Sequence, residues 1–431
     1  MTSLSAAAKP SNAVWLYLGR EARTPEEVEQ LLDWCGRNRI GKVLVHMDLQ
    51  PAHQDAIRDQ LNRLTDACAS AGIEVHGMIS ALIQRTKNRV ELQFQDPDCY
   101  CVDVHGISNW DEPVSGTAYV LDPGKPQVVE TISRGVGRLL ETFPGLAGVH
   151  LDFVRYYYFD SVLTVDTKSA GHWLGSVPKP GQPIRIETLN GTRTTFFVEE
   201  ASNAYNDPPI GDKLTLRHEY RFCFCDACVS GFLAQSGVQL PPALALTPSA
   251  AGAAAPDAAS ADADADSARI LRGERAQWLL REHAAAWAAY RAGLITALIA
   301  AIRRAGQDVR PTTQLSATIW YNAPYGNELR GLPLQPDSVY DGFGQKWQDW
   351  VAQGLVDFLC PMDYWLAPDS FEAVVKQQTA AAGEVPVYPG ILNSAEYALN
   401  AEQFQTYKTA AELSGAAGIT FFHYGSWKEV L

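Results

Sequence analysis

Short apolar segments alternate with helix-forming segments along most of this chain, and this alternation constrains its fold more than any other feature. After the first apolar segment, residues 14 to 19, Thr24-Pro25-Glu26-Glu27 supplies an N-cap, a proline at the first helical position and an acidic first turn. Strands that alternate with helices in this way form parallel sheets. The predicted strands are residues 14 to 19, 42 to 48, 73 to 80, 145 to 156, 314 to 320, 356 to 364, 385 to 391 and 418 to 424.

Eight strands with intervening helices predict an α/β protein, a single (β/α)8 TIM barrel over residues 14 to 431. A doubly wound open sheet is the alternative, but no glycine-rich phosphate-binding turn follows the first strand. The alternation stops after the fourth strand, so residues 157 to 240 are predicted to be an insertion. Within it, Asn190-Gly191 lies between two β-rich arms and predicts a hairpin.

Residues 241 to 268 are dominated by Ala, Pro, Asp and Ser. Such a composition buries too little apolar surface to offset the entropy lost on ordering. We therefore expect a flexible low-complexity loop there, followed by a long helix over residues 270 to 305.

The fourth strand carries polar residues on one face only. Because strand side chains alternate, His150 and Asp152 share a face, and the intervening apolar residues face the other way. In a barrel the polar face is the inner one, and functional residues gather at the carboxyl ends of the strands. Asp152 is therefore a catalytic candidate, although a structural ion pair with Arg155 is the alternative.

The same alternation predicts which residues reach the mouth of the barrel. Asp363, at the end of the sixth strand, is the candidate partner of Asp152. The predicted substrate-binding residues are Trp15, Tyr17, His46, Asp48, His76, His150, Arg155, Trp320, Asn322, Tyr364, Tyr388 and His423.

Carboxylates flanked by Trp and Tyr suit the cleavage of a sugar, because one carboxyl protonates the leaving oxygen while aromatic faces stack on the ring. Two alternatives remain open. The repeated His-x-Asp pairs, His46 with Asp48 and His150 with Asp152, suit a metal-dependent hydrolase or deacetylase. A barrel that binds carbohydrate without cleaving it is the third possibility.

Four segments resemble the bacterial "family 10-like" glycosyl hydrolases: Gly148 to Tyr156, Val356 to Tyr364, Val387 to Ile391 and Gly415 to Tyr424. The resemblance spans roughly residues 14 to 425. It implies a (β/α)8 barrel, glycosidase activity and Asp152 as the catalytic carboxylate. The Met362-Asp363-Tyr364 end is similar to the sixth strand of chitinase-like barrels, but the D-x-x-D-x-D-x-E motif is absent, which argues against substrate-assisted catalysis.

Cys223, Cys225 and Cys228 form a C-x-C-x-x-C cluster, which indicates a soft metal or a disulfide knot. With an upstream cysteine, the spacing is similar to the zinc site of glycoside hydrolase family 42 β-galactosidases. That resemblance implies a structural zinc ion, with Cys101 or Cys99 as the fourth ligand. Reduced thiols or a disulfide are the alternatives, and no organic cofactor is expected.

Composition excludes several partners. The formal net charge of -14 argues against nucleic acid, and no apolar run approaches a membrane span of about 18 residues. A carbohydrate substrate remains compatible. The first ten residues lack a signal peptide, which predicts a cytoplasmic location, or export if the chain is trimmed. The oligomeric state cannot be predicted from these features.

Overall fold

The structure is a computed structural model that describes residues 11–166, 179, 181–187, 193–199, 213–246, 258–321, 340, 342–395 and 397–431. The chain divides into two compact units. Unit 1 contains Met1–Ala81, Pro126–Arg155 and Ala292–Leu431, and unit 2 contains Leu82–Lys125 and Tyr156–Arg291.

Unit 1 is built on eight parallel strands. They are β1 Asn12–Leu16, β2 Ile40–Met47, β3 Glu74–Ser80, β4 Gly148–Asp152, β5 Gln314–Ile319, β6 Phe358–Pro361, β7 Gly390–Leu392 and β8 Thr420–Phe422. Their order in the sheet is β6-β5-β4-β3-β2-β1-β8-β7, so each strand pairs with its neighbours in sequence. A parallel bridge between Leu359 and Val387 joins the two ends of the sheet. The (β/α)8 barrel predicted from the alternation is therefore confirmed.

The inner face of the barrel is filled by apolar and aromatic side chains. Ala13, Trp15, Leu44, Met78, Phe358, Cys360, Met362, Tyr364, Tyr388 and Leu392 form one buried cluster. The residues between them in sequence, such as Val14, Val43 and Leu359, are fully buried on the opposite face of the strands. This alternation of inward-facing and outward-facing side chains decides which residues at each strand end face the lumen.

The helices of unit 1 follow the strands as the sequence predicts. In the helix after β1, Thr24 and Glu27 form a reciprocal capping box, and Pro25 occupies the first turn. The helices are α1 Leu18–Glu21, α2 Pro25–Arg37, α3 Pro51–Ser70, α4 Pro126–Thr142, α5 Ala284–Val309, α6 Trp347–Ala352, α7 Pro368–Ala382, α8 Ala401–Leu413 and α9 Tyr424–Trp427. The first turns of α5, up to Arg291, belong to unit 2, and the rest of the helix belongs to unit 1.

Helix α5 has the length and apolar character of a membrane span, since it has 26 residues and its most apolar 18-residue window has a mean hydropathy of 1.5. A core helix of a globular protein has the same character. Ile295, Leu298 and Ile299 of α5 are fully buried in the structure. Its apolar residues are therefore explained by packing in the protein core.

Unit 2 is built mainly on antiparallel strands. Its four-stranded sheet has the order Tyr158–Asp166, Lys213–Arg221, Arg193–Val198 and Pro183–Glu187. The last two strands are the arms on either side of Asn190-Gly191, and Ile184 pairs with Phe196 between them. A smaller ladder pairs Ile83–Arg85 with Ala118–Val120. The helices of unit 2 are Asp226–Ser236 and Ala258–Glu282.

The expected flexible loop, residues 241 to 268, overlaps a helix. Helix Ala258–Glu282 begins before the expected residue 270. Alanine has the highest intrinsic helix propensity, and here it outweighs the alternating aspartates. Residues 247–257 of the expected loop lie outside the described residues.

Candidate active site

Asp152 lies at the carboxyl end of β4 and is half-buried. Its Oδ1 accepts hydrogen bonds from the Phe153 backbone N–H at 2.8 Å and from the Thr318 hydroxyl on β5 at 3.1 Å. Burial raises the pKa of Asp152, and these hydrogen bonds with the charges of Arg155 and His46 oppose the rise only in part. Asp152 is therefore a carboxyl group that holds its proton more tightly than one in water.

Three rings stand side by side on the neighbouring strand ends of β2, β1 and β8: His46, Tyr17 and His423. The ring centroids of Tyr17 and His46 are 5.6 Å apart, and those of Tyr17 and His423 are 5.2 Å apart at an interplanar angle of 85°. We call this set the ring row. His46 remains exposed at the end of β2, but the atoms packed around its ring lower its pKa by desolvation, and the charge of Asp152 opposes that effect. His46 therefore lies within electrostatic reach of Asp152.

Glu21, on α1, holds His423 in place. Its Oε1 lies 2.6 Å from Nδ1 of His423, and the same oxygen accepts a hydrogen bond from the Gly425 N–H at 2.9 Å. Its Oε2 accepts a hydrogen bond from the Tyr17 N–H at 2.9 Å. Sequence reasoning missed Glu21, because its partner His423 is 402 residues away along the chain.

The other side of the mouth is aromatic. Trp320 stacks on Trp365 with centroids 6.1 Å apart and meets Tyr364 edge-on at 6.3 Å. The guanidinium of Arg155 lies 5.6 Å from the Trp320 ring and 4.9 Å from the ring of Phe343. Arg155 is therefore held against aromatic rings, and its charge opposes part of the rise in the pKa of Asp152.

Trp15, His150, His76 and Tyr388 face the lumen as predicted but lie below the mouth. His150 is fully buried, its Nδ1 lies 2.8 Å from the Ser316 hydroxyl, and burial lowers its pKa to about 3. Trp15 packs against it at 6.1 Å. His76 and Tyr388 both meet Phe358 edge-on, at 5.2 Å and 5.6 Å. The expectation that these four side chains reach the mouth is corrected, because alternation selects a face of the strand but not a depth in the barrel, and all four are buried.

Asp363, the predicted partner of Asp152, faces the other side of the barrel wall. Its Oδ1 accepts a hydrogen bond of 2.8 Å from Gln378 on α7, outside the lumen. Met362 and Tyr364, on either side in sequence, belong to the lumen cluster. Burial raises the pKa of Asp363 to about 7. The assignment of Asp363 to the mouth is therefore corrected, because its side chain points outward to the helices, whereas those of Met362 and Tyr364 point into the lumen.

The two predicted His-x-Asp pairs do not assemble into one site. Asp48 bonds the Gln50 N–H at 2.8 Å and lies 2.9 Å from Nδ1 of His53 on α3. His150 is in the lumen core, as described above. Asn322, predicted to bind substrate, lies outside the described residues.

A second cluster lies in unit 2, where Asp122, Cys223, Cys225 and Cys228 are all buried. Their ligand atoms lie within 4.8 Å of one another. Oδ2 of Asp122 is 3.0 Å from Cys225 Sγ, 3.3 Å from Cys228 Sγ and 3.5 Å from Cys223 Sγ. Burial raises the pKa of Asp122 well above its usual range. Four buried groups of potential negative charge indicate a place for a cation.

The dimensions of this cluster fit a tetrahedral metal ion. Zinc bonds of about 2.3 Å to sulfur and 2.0 Å to oxygen require S···O edges of about 3.5 Å. Asp122 is the fourth member of this group, whereas Cys101, which the resemblance implies as the fourth ligand, is not part of it and has its Sγ 3.3 Å from the Leu121 carbonyl oxygen. No sequence spacing pointed to Asp122, because the cysteines follow about a hundred residues later.

No protein-family model matches this sequence, and no curated protein is significantly similar to it. Among solved structures, a β-galactosidase from Bacillus circulans sp. alkalophilus superposes with a TM-score of 0.52 and 10% identity, covering 96% of this chain and 50% of its own. The β-galactosidase from the psychrophilic Marinomonas ef1 has a TM-score of 0.52 and 9% identity, and the match covers 96% of this chain and 54% of that protein. A GH42 β-galactosidase from G. stearothermophilus has a TM-score of 0.52 and 10% identity, and the match covers 96% of this chain and 51% of that protein.

The chain therefore spans about half the length of these solved structures. At such low identity the likeness shows a shared fold. That fold is the (β/α)8 barrel, and the three similar proteins with this barrel are glycoside hydrolases.

Proposed function

We propose that this chain is a glycoside hydrolase that cleaves a poly- or oligosaccharide, with Asp152 as the proton donor. The main support is the state of Asp152, a half-buried carboxyl with a raised pKa at the carboxyl end of a barrel strand. General acids of glycosidases are carboxyl groups whose surroundings keep them protonated. The aromatic side chains around the mouth, Tyr17 and Trp320 among them, provide faces on which sugar rings stack.

In this proposal the proton of Asp152 passes to the glycosidic oxygen as its bond to the anomeric carbon breaks. Water supplies the oxygen that joins the anomeric carbon. His46 takes the proton released by that water, since its lowered pKa keeps the imidazole neutral near pH 7. The return of this proton from His46 to the Asp152 carboxylate leaves His46 neutral and Asp152 protonated, ready for the next cycle. Asp363 has no part in the reaction, because its carboxyl bonds Gln378 outside the lumen.

Galactosides are the first substrates to test, because the similar solved structures are β-galactosidases. The experiment measures release of p-nitrophenol from a panel of p-nitrophenyl α- and β-glycosides, and of reducing sugar from oligosaccharides. Cleavage of at least one glycoside by the wild-type chain, but not by Asp152→Asn, is the expected result. Saccharide binding without any cleavage would leave the carbohydrate-binding barrel as the better assignment.

We also propose that the cluster in unit 2 holds a structural zinc ion, with Cys223, Cys225, Cys228 and Asp122 as ligands. Three thiolates and a carboxylate form a closed tetrahedral set without an open position for substrate. The ion would join the segment that carries Asp122 to the segment that carries the cysteines. Its role is therefore to stabilise unit 2.

A further inference from the structure

The ring row ends at a histidine whose environment is more constrained than that of a surface residue. His423 directly follows β8 at the carboxyl end of the barrel. Its side chain is 30% exposed to solvent. Its Nδ1 faces a carboxylate oxygen of Glu21, the side chain of which is only 6% exposed. Because that oxygen can only accept, Nδ1 of His423 carries a hydrogen.

Glu21 is itself fixed from three directions. The backbone N–H groups of Tyr17 and Gly425 donate to its two oxygens, and the His423 ring bonds it from the third side. A methyl group built on Gly425 would overlap Oε1 of Glu21, so the carboxylate lies directly against the backbone after β8. Such a carboxylate cannot swing out to act on a substrate, but it can hold an imidazole in one orientation.

With Nδ1 engaged by Glu21, Nε2 is the nitrogen of His423 that remains for another partner, and in the Nδ1–H tautomer it accepts hydrogen bonds. The next rings are Tyr17 and His46, and His46 is within electrostatic reach of Asp152. The ring row therefore connects this acceptor to the proposed proton donor along neighbouring strand ends.

We infer that the ring row is a sugar subsite and that Glu21 is a positioning residue, which fixes His423 so that Nε2 accepts a sugar hydroxyl. Sugar hydroxyls are donors that need an acceptor when they leave water, and ring faces cover the apolar side of the sugar. The inference rests on the proposed function, because it describes a subsite of the same barrel mouth. It assigns no proton transfer to Glu21.

The first readout is the tautomer of His423 in the full chain, from long-range ¹⁵N–¹H spectra of ¹⁵N-histidine-labelled protein. The chain has nine histidines, and His423→Gln assigns the signal. In the wild type we expect Nδ1 to be protonated and Nε2 to shift when galactose is added. In Glu21→Gln the Nδ1-protonated form should lose its dominance. Glu402→Gln, a change of the same chemistry on an exposed position of α8, should leave the His423 signal unchanged.

The second readout separates binding from chemistry, using the p-nitrophenyl glycoside that the wild type cleaves best. Loss of a hydrogen bond made equally in the ground state and the transition state raises KM and leaves kcat little changed. We expect His423→Ala and Glu21→Gln to raise KM on the order of tenfold. His423→Gln keeps an acceptor oxygen near the position of Nε2 and should recover part of the loss.

An unchanged KM in His423→Ala, or an unchanged His423 tautomer in a folded Glu21→Gln, would overturn the inference while leaving the glycosidase proposal intact. If the wild type cleaves no glycoside, the proposed function fails. The shift of His423 Nε2 on adding galactose then decides the inference separately. A Glu21-dependent shift supports a sugar subsite, and no shift overturns it.

Discussion

The Thr318 hydroxyl on β5 donates a hydrogen bond of 3.1 Å to the Asp152 carboxylate on the adjacent strand β4. A hydrogen bond to the ionised form lowers the pKa of an acid, whereas burial, the larger effect here, raises it. The Thr318 bond therefore offsets part of the rise in the pKa of Asp152, together with the Phe153 N–H and the charge of Arg155. It also ties the proposed acid to the rigid barrel wall.

The first prediction concerns Asp152 as a general acid. Asp152→Asn should leave the fold intact and reduce kcat by on the order of 10²-fold or more, because the amide has no proton to give. In the wild type, kcat/KM should fall as the pH rises through the raised pKa of Asp152. Thr318→Val removes a bond that favours the ionised form, so it should move this fall to higher pH. Thr318→Ser retains the hydroxyl and is the matched control.

pH–rate profiles of these variants check the assignment. A Thr318→Val profile that coincides with the wild-type profile would show that the fall of kcat/KM at high pH reports the titration of another group. Early unfolding of Asp152→Asn with near-normal activity in its folded fraction would make Asp152 a structural residue.

The second prediction concerns Asp363, which is buried against Gln378. Burial raises the pKa of Asp363 from 3.8 in the unfolded chain to about 7 in the folded protein. The folded state therefore binds a proton that the unfolded state releases, and this group lowers stability as the pH rises from about 4 to 7. Asp363→Asn has an amide in place of the neutral acid, so it should match the wild type at pH 4 and exceed its stability by up to ~4 kcal/mol at pH 8.

Denaturant unfolding at the two pH values measures this difference, and Asp369→Asn, at the exposed start of α7, is the control. The catalytic activity of Asp363→Asn should remain close to that of the wild type. A loss comparable to that of Asp152→Asn would restore Asp363 to the reaction.

The barrel could be predicted from the sequence because its signals are local. The Thr24 capping box, the proline of the first turn and the apolar period of each strand lie within a few residues of one another. Depth in the lumen is not a local property. His150 and Asp152 share a strand face, yet His150 is a core residue and Asp152 reaches the mouth, because Asp152 is the last residue of β4.

Residue pairs that join distant parts of the chain could not be predicted for the same reason. Glu21 finds His423 only because closure of the barrel makes β1 and β8 neighbours. Asp122 joins the cysteine cluster by folding within unit 2, and no spacing in the sequence relates the two. Asp363 was misplaced because the inward phase at the end of β6 passes through Met362 and Tyr364.

The third prediction concerns the zinc ion proposed for unit 2. Freshly purified protein should contain about one equivalent of zinc, since a closed site of four ligands binds it tightly. Cys225→Ser and Asp122→Asn should each lower the zinc content and the unfolding temperature. Cys101→Ser, which changes a neighbouring buried thiol facing the Leu121 carbonyl, should retain the zinc.

Elemental analysis and thermal unfolding of the three variants distinguish the fourth ligand. Loss of zinc in Cys101→Ser but not in Asp122→Asn would favour the cysteine over the aspartate. Less than a few tenths of an equivalent in the wild type would argue against any structural zinc.

The fourth prediction concerns a buried ion pair in unit 2. His218 and Asp103 are both nearly inaccessible, with Nε2 2.9 Å from the Asp103 carboxylate and Nδ1 2.6 Å from the Thr195 carbonyl oxygen. Both ring nitrogens face acceptors, so the ring fits this place only when it carries both protons. Burial alone lowers the pKa of His218, but the hydrogen bond and charge of Asp103 and the Thr195 carbonyl outweigh it, and the pKa is raised.

A histidine whose pKa is raised by folding stabilises the protein fully below its unfolded pKa of about 6.5 and loses this effect as the pH rises through the folded value. The unfolding temperature of the wild type should therefore fall with increasing pH above about 6.5. His218→Gln removes the buried charge from Asp103 and should cost about 3 kcal/mol at pH 6, with a flatter pH dependence above it. His53→Gln changes an exposed histidine paired with Asp48 and should leave both the stability and its pH dependence nearly unchanged.

Amide hydrogen exchange at pH 6 and pH 8 locates the effect, since the strands Arg193–Val198 and Lys213–Arg221 should lose protection first. Equal pH slopes in the wild type and His218→Gln would mean that the imidazole is neutral in the folded protein.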